Sequence, residues 1–332
     1  MRTIKFITVI LFFLVIENHV FSQDSLFQWH GYVQTRLSSD FDKSTDFTIR
    51  RAKLWINGSV PDVSWMSYKV QAVYRSSKDA AIMLQDAYAD MQIKSIASVR
   101  VGRFKPDFLL QPNQPDYEIP DLERADVINN LVFNPKTMAR QIGAQITFNK
   151  QKYLPRLSLG IFSENHDVPG DAKNQNLLFT AHVQKAFVES KDMLVSTGAS
   201  IGYRYVEFLS MPSISDPTIL FTGNDLHWGL EGQFQLKKYG LQVEYVQAIV
   251  DGNKVWGYYI DNDYYFTNKF QAIAGIEKYA DLIPETNDNA WLGVGGNYFF
   301  TERTKLMAEL KSQMAGNRIN YQIEIQFQVF FN

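Results

Sequence analysis

Apolar and polar residues alternate along most of the chain, and the clearest example is the C-terminal segment 319–331. The apolar positions of this segment are Tyr321, Ile323, Ile325, Phe327, Val329 and Phe331. Gln or Glu stands between them from residue 322 to residue 328, and segments 226–236 and 27–37 repeat the pattern. Because successive side chains of a strand point to opposite faces, a period of two predicts strands with one apolar and one polar face.

Similar segments recur over the whole chain and predict sixteen strands. They are residues 27–37, 47–58, 65–74, 83–93, 97–104, 140–148, 156–162, 177–187, 194–205, 226–236, 240–249, 257–266, 269–278, 290–299, 303–311 and 319–331. Most of these segments have the length of a tilted strand that crosses a bilayer, and an even number of strands is typical of a bacterial outer-membrane barrel.

The lengths of the connections distinguish a barrel from a soluble β-sandwich, in which strands also alternate. The long connections all follow odd-numbered strands, at 105–139, 163–176, 206–225 and 279–289, whereas those after even-numbered strands are short. Outer-membrane barrels have short periplasmic turns at one end and longer external loops at the other. The sequence therefore predicts an all-β transmembrane antiparallel barrel, with both termini and the short turns on the periplasmic side.

The N-terminal residues 1–22 have the pattern of a secretory signal peptide. Arg2 and Lys5 precede a short apolar run from Ile7 to Ile16, and a small residue, Ser22, comes before Gln23. Such a run is too short to span a bilayer and is removed on export. We therefore expect a signal peptide at 1–22 and one barrel domain at 23–332, located in the outer membrane and in contact with its lipid.

Composition excludes several other classes of protein. The 332 residues include no cysteine, which excludes a disulfide scaffold and a thiol nucleophile, and the net charge of -2 gives no support to nucleic-acid binding. His30, His182 and His227 fall on the polar side of the alternation, so a lipase site on the lipid face is disfavoured. The sequence indicates no catalytic residues, no cofactor and no metal site.

Several motifs in order resemble the phosphate-selective porin O and P family. They are GYVQTRL (31–37), FTIRRAKLWINGSV (47–60), LQDAYADMQI (84–93), VRVGRFKPDF (99–108), LERADVINNLVF (122–133) with RQIGAQITF (140–148), GYYIDNDYYFT (257–267) and NKFQAIAGIEKY (268–279). The resemblance covers essentially the whole chain after residue 22. It implies a sixteen-stranded, homotrimeric outer-membrane porin.

The resemblance also implies that the long connection 105–139 folds inward and narrows the lumen. Its five prolines cannot join a strand ladder, and its apolar residues from Leu122 to Phe133 need burial. The function expected is a passive diffusion channel for small hydrophilic or anionic solutes. The alternative is a structural or surface-binding barrel whose lumen this connection blocks.

Basic residues guide anions in phosphate-specific members of the family, and this chain has candidates for an anion path. The candidate pore-lining residues are Arg36, Arg50, Lys69, Arg100, Lys105, Arg124 and Arg140, with Asp86 and Asp90. The alternative is that these cations pair with neighbouring carboxylates such as Asp86, Asp90 and Glu123, which would leave a general pore. Gly275 also stands where the family motif usually carries Arg. We therefore expect a weak preference for anions without tight phosphate binding.

Overall fold

A computed structural model describes residues 27–41, 44–76, 81–133, 138–149, 154–163, 176–283, 289–315 and 318–331. The expected signal peptide at 1–22 lies outside these described residues. No helix among them is long and apolar enough to cross a membrane.

Sixteen antiparallel strands close into one barrel. They are β1 (Phe27–Ser39), β2 (Thr45–Val60), β3 (Val63–Arg75), β4 (Ala81–Ile93), β5 (Ala97–Phe104), β6 (Gln141–Phe148), β7 (Arg156–Ser163), β8 (Leu177–Glu189), β9 (Met193–Ser210), β10 (Leu220–Leu236), β11 (Tyr239–Val250), β12 (Asn253–Thr267), β13 (Phe270–Ala280), β14 (Asn289–Thr301), β15 (Thr304–Ala315) and β16 (Arg318–Phe331). Each strand pairs with the next in sequence, and β1 pairs with β16, from Gly31 opposite Phe331 to Ser39 opposite Ile323. The predicted barrel and its sixteen strands are confirmed.

The alternation in sequence becomes an apolar outside and a polar inside. On β1, Trp29 and Leu37 are exposed, while Gln34 and Arg36 between them are buried. Because the ladder is closed, the backbone donors and acceptors along the strands are paired within the protein, as the hydrocarbon region of a bilayer requires. Many large aliphatic and aromatic side chains are exposed on the outside.

The connections divide between a turn end and a loop end of the barrel. The turn end carries connections such as 237–238 and 268–269, and the loop end carries 105–140 and 281–288. The predicted connection 206–225 is wrong in extent, because β9 and β10 continue into it and leave only 211–219. The register of this pair shifts between Phe221 and Gly223, which interrupts the alternation there.

The segment from residue 105 to 133 contains a 3₁₀ turn (Gln111–Asn113) and a short helix, α1 (Asp126–Leu131). Val127, Ile128 and Leu131 of α1 are buried. They belong to an apolar core that includes Val246 and Val255, which sit on the buried side of β11 and β12. Gly257 of β12 permits this close approach, since a Cβ there would lie 2.5 Å from the Val127 Cγ2 atom.

Candidate functional site

Two consecutive arginines of β2 point to the same side of the barrel because of a β-bulge. The β1–β2 register places Gln34 opposite Arg51 and Thr35 opposite Ile49, so Arg50 is the extra residue. Both Arg50 and Arg51 contact the carboxylate of Glu123, with the Arg51 Nη2 atom 2.6 Å from Oε2. A strict alternation would have directed one of the two side chains into lipid.

Glu123 is the meeting point of a first group of cations. Besides the two β2 arginines, Arg36 lies 3.0 Å from Glu123 and donates a 2.7 Å hydrogen bond to the Leu122 carbonyl. Arg36 also contacts Glu324 at 3.3 Å. Burial opposes ionisation of Glu123, but Arg51, Arg50 and Arg36 hold its pKa well below its usual range. The Glu123 carboxylate therefore stays charged and neutralises part of the arginine cluster.

Asp116 is the meeting point of a second group. Lys53 of β2 and Arg124 contact its carboxylate directly, and the Arg51 Nε atom lies 3.6 Å away. The Tyr32 hydroxyl of β1 donates a 3.1 Å hydrogen bond to Oδ2. Burial raises the pKa of Asp116, but the cations outweigh this effect and hold it well below the usual range. Neither Asp116 nor Lys53 was a candidate from sequence.

The two carboxylates of β4, Asp86 and Asp90, pair with further cations near β2–β5. The Arg140 Nε atom lies 3.0 Å from Asp86, and the Lys69 Nζ atom lies 3.6 Å from it. Arg100 binds Asp90 with two hydrogen bonds, of 2.7 and 2.8 Å. The pairing with Asp86, Asp90 and Glu123 that the sequence offered as an alternative is therefore present in the structure.

Two cations have no carboxylate in direct contact among the described residues. Lys105 hydrogen-bonds the Pro112 carbonyl, and the Arg75 Nε atom is buried without a hydrogen-bond partner. Asp116 acts on Lys105, and Glu123 acts on Arg75, only over longer distances. Burial, with Arg124 and Arg140 nearby, lowers the pKa of Lys105 well below its usual value. An anion beside Lys105 would favour its charged form.

Three cavities adjoin along β2–β5 and bring these residues together. A cavity of about 250 Å³ near Arg75 shares Lys105 and Arg124 with one of about 260 Å³. The second shares Trp55 and Lys69 with a cavity of about 910 Å³ at the turn end, next to Pro61 and Asp62. The cations that line the three cavities are Arg50, Arg51, Lys53, Lys69, Arg75, Arg100, Lys105, Arg124 and Arg140. The carboxylates are Asp62, Asp86, Asp90 and Asp116.

The lining of the three cavities has nine cations and four carboxylates, and Glu123, which contacts Arg50 and Arg51 without being part of the lining, reduces the excess to four formal positive charges. Of the nine candidate residues, eight line the cavities, and Arg36 lies instead behind Glu123. Lys53 could have been found in the sequence, because it continues the alternation from Arg51. Asp116 has no such signal, since it lies in an irregular segment between prolines.

The opposite side of the segment is attached to β8–β14. Glu244 accepts the backbone N–H groups of Leu110 and Gln111 at 2.9 and 2.7 Å, and Asn297 donates to the Pro120 carbonyl at 2.7 Å. These contacts join the segment to strands on the far side of the barrel from β2–β5. The three cavities therefore lie on the side of the segment that faces β2–β5.

A buried imidazole fixes the first residues of the segment. His182 of β8 contacts Asp107 at 3.0 Å through Nδ1 and Glu231 at 3.1 Å through Nε2. Ser158 and Arg156 of β7 also contact Asp107, each at 2.6 Å. Burial opposes ionisation of Asp107, but the hydrogen bond from His182 and the other partners lower its pKa to about 2. This network holds the start of the segment against β7 and β8.

Comparisons with known proteins agree with this architecture. The family described as phosphate-selective porin O and P matches residues 27–332. Among solved structures, Pseudomonas putida OprB has a TM-score of 0.69 at 9% identity and covers 93% of this chain and 95% of its own. An anion-selective porin from Comamonas acidovorans has a TM-score of 0.65 at 11% identity, with coverage of 92% and 99%.

A trimer form of in-vitro folded OmpT from Vibrio cholerae has a TM-score of 0.59 at 13% identity, with coverage of 92% and 99%. No curated protein matches the sequence. At such identities the structural matches show the fold, whereas the family match extends over nearly the whole chain. The chain belongs to the phosphate-selective porin O and P family and is an outer-membrane porin.

Proposed function

We propose that this porin is a passive diffusion channel for small hydrophilic solutes with a weak preference for anions. The observation that carries the proposal is the row of three adjoining cavities with nine cations against four carboxylates. A fixed charge in a narrow, low-dielectric passage acts more strongly than the same charge in bulk water. Local potential therefore outweighs the chain's net charge of -2 in deciding which ions pass.

The segment 105–139 is the constriction in this proposal. Its described part meets β11 and β14 through Glu244 and Asn297, and it meets β1 and β2 through Asp116 and Glu123. A further cavity of about 220 Å³ lies between the segment and β10–β13, and Asp121, Asp261 and Asp263 line it. We assign the passage to the side of β2–β5, because the three cavities there adjoin one another.

The preference is weak because most cations of the passage already have a partner. Glu123, Asp116, Asp86 and Asp90 each bind at least one of them. Arg75 supplies charge without a carboxylate in contact, and Lys105 adds its charge when an anion beside it favours the protonated form. We further propose that residues 1–22 are a signal peptide. We also propose that the porin assembles as a homotrimer, as the family resemblance implies and as the trimer form of OmpT illustrates for a similar fold.

Single-channel recording in planar bilayers tests this function. The purified porin should give stepwise conductance in KCl, whereas a barrel blocked by 105–139 would give none. Replacing Lys105 with Gln should lower the chloride-to-potassium permeability ratio, because a chloride ion beside Lys105 favours its charged form and no carboxylate contacts it. Lys185→Gln is the matched control, since Lys185 is on the outward side of β8 over the Phe187 ring. An equal shift in both variants would contradict the assignment of Lys105 to the passage.

A further inference from the structure

The groups around Asp116 are those that bind an oxyanion. An ammonium (Lys53), two guanidinium groups (Arg51 and Arg124) and a phenol hydroxyl (Tyr32) converge on one carboxylate. The Asp116 side chain is only 6% exposed. Charge-assisted hydrogen bonds of this kind bind carboxylates and phosphates alike. The arrangement is therefore an anion site, and a residue of the chain occupies it.

The two guanidinium donors are held in place by contacts that do not involve Asp116. Arg51 donates to Gln34 at 3.1 Å and to Glu123 at 2.6 Å. Arg124 donates to the Gln111 carbonyl at 2.9 Å and also to the Gln114 carbonyl. Because these bonds remain when the Asp116 charge is removed, the two guanidinium groups should keep their positions beside residue 116.

The site lies at the junction of two cavities of the proposed passage. Asp116, Arg124, Lys105 and Arg140 line both the cavity of about 250 Å³ and that of about 260 Å³. An anion that moves between these cavities would pass next to the Asp116 carboxylate. The anion would meet the same donors, but these donors already bind the negatively charged Asp116 carboxylate.

We propose that Asp116 occupies an oxyanion-binding site of the passage as a built-in competitor and thereby prevents tight binding of multivalent oxyanions. The proposal rests on the proposed function for its place in a conducting path. It makes Asp116 a specificity-determining residue: its charge keeps solutes mobile, and its loss creates an inorganic phosphate site from groups already present. A like charge within contact distance repels an entering phosphate, whereas an amide of the same shape does not.

The test compares Asp116→Asn with Asp263→Asn, using inorganic phosphate as the probe. Each variant removes one carboxylate charge, and Asp263, whose partner is Gln271 at 3.0 Å, lies away from the donor group. Phosphate block of the chloride current should strengthen by about tenfold or more in Asp116→Asn and stay near the wild-type value in Asp263→Asn. Equal changes in both variants, or no change in Asp116→Asn, would overturn the proposal.

Two further measurements keep the test decisive. Isothermal titration of the detergent-solubilised variants with phosphate reads the site without any need for conduction, so a wild type that does not conduct refutes the proposed function alone. If Asp116→Asn does not fold, the double variant Lys53→Met/Asp116→Asn replaces it, because it keeps the net charge of the site. Arg51 and Arg124 then face an uncharged residue 116, so phosphate block should still exceed the wild-type value. Block no stronger than that of the wild type would overturn the proposal.

Discussion

A single methyl group at Gly202 should displace Phe133, the last described residue of the segment 105–133. Gly202 is on the inner side of β9, and a Cβ there would lie 2.5 Å from the Cε2 and Cζ atoms of Phe133. Ordinary contact begins at 3.4 Å, so the ring has to move by about 0.9 Å. Phe133 is 2% exposed and packs against Phe108 and His227, with ring centroids 5.5 and 4.3 Å apart. There is little space into which the ring can move.

Overpacking of this kind costs about 1–3 kcal/mol, and loss of a buried ring in Phe133→Ala costs about 3–5 kcal/mol. The two effects should not add, because the methyl group of Gly202→Ala then points into the space that Phe133 has left. We therefore expect the double variant to be no less stable than Phe133→Ala alone. The coupling free energy equals the overpacking term, about 1–3 kcal/mol.

Urea titration of the folded barrel, followed by its heat-modifiable migration on gels, measures these differences. Gly232→Ala is the control, because a Cβ at Gly232 meets nothing within 4 Å. It should change stability by less than about 0.5 kcal/mol. Additive effects of Gly202→Ala and Phe133→Ala would refute the contact between the segment and β9.

Three other predictions concern topology, assembly and pH. The chain has no cysteine, and Asp216 and Lys238 are both exposed, so Asp216→Cys and Lys238→Cys report the orientation of the barrel. A membrane-impermeant thiol reagent on whole cells should label Asp216→Cys only. Labelling of Lys238→Cys only would show the opposite orientation. Deleting 328–332 removes part of the β16 pairing with β1 and should abolish insertion read by gel migration, whereas deleting Asn332 alone should not. Burial and the nearby Glu309 raise the pKa of Asp121 from 3.8 to about 7, so its contribution to stability is complete below pH 3.8 and is lost as pH rises through about 7; Asp121→Asn should flatten the change in melting temperature across that window, and an unchanged profile would contradict it.

The sequence predicted most of the barrel because alternation with a period of two reports directly which side of a strand is buried. It was less informative where the alternation breaks. The bulge at Arg50 turns two neighbouring arginines inward, and the shift near Phe221 hides the extension of β9 and β10. A bulge depends on the pairing of two distant segments, so the pattern of one strand does not reveal it.

The candidate cations were found from their residue type and from the family resemblance, but their partners were found only in part. Asp86 lies on the strand next to Lys69, and Asp90 lies opposite Arg100 in the β4–β5 ladder, so a predicted ladder brings these groups together. Asp116 binds Lys53 and Tyr32, which are 63 and 84 residues away, from a segment without regular structure. No local pattern connects groups that meet through such a loop.

The reversal potential of the wild-type porin under a KCl gradient tests the central claim most directly. If the passage runs along the nine cations of β2–β5 and the segment 105–139, chloride should be the more permeant ion, and the sign of the potential should show it. Raising the salt concentration should weaken the preference, because mobile ions screen the fixed charges. A preference for potassium would contradict the account, since solutes would then bypass the basic cavities.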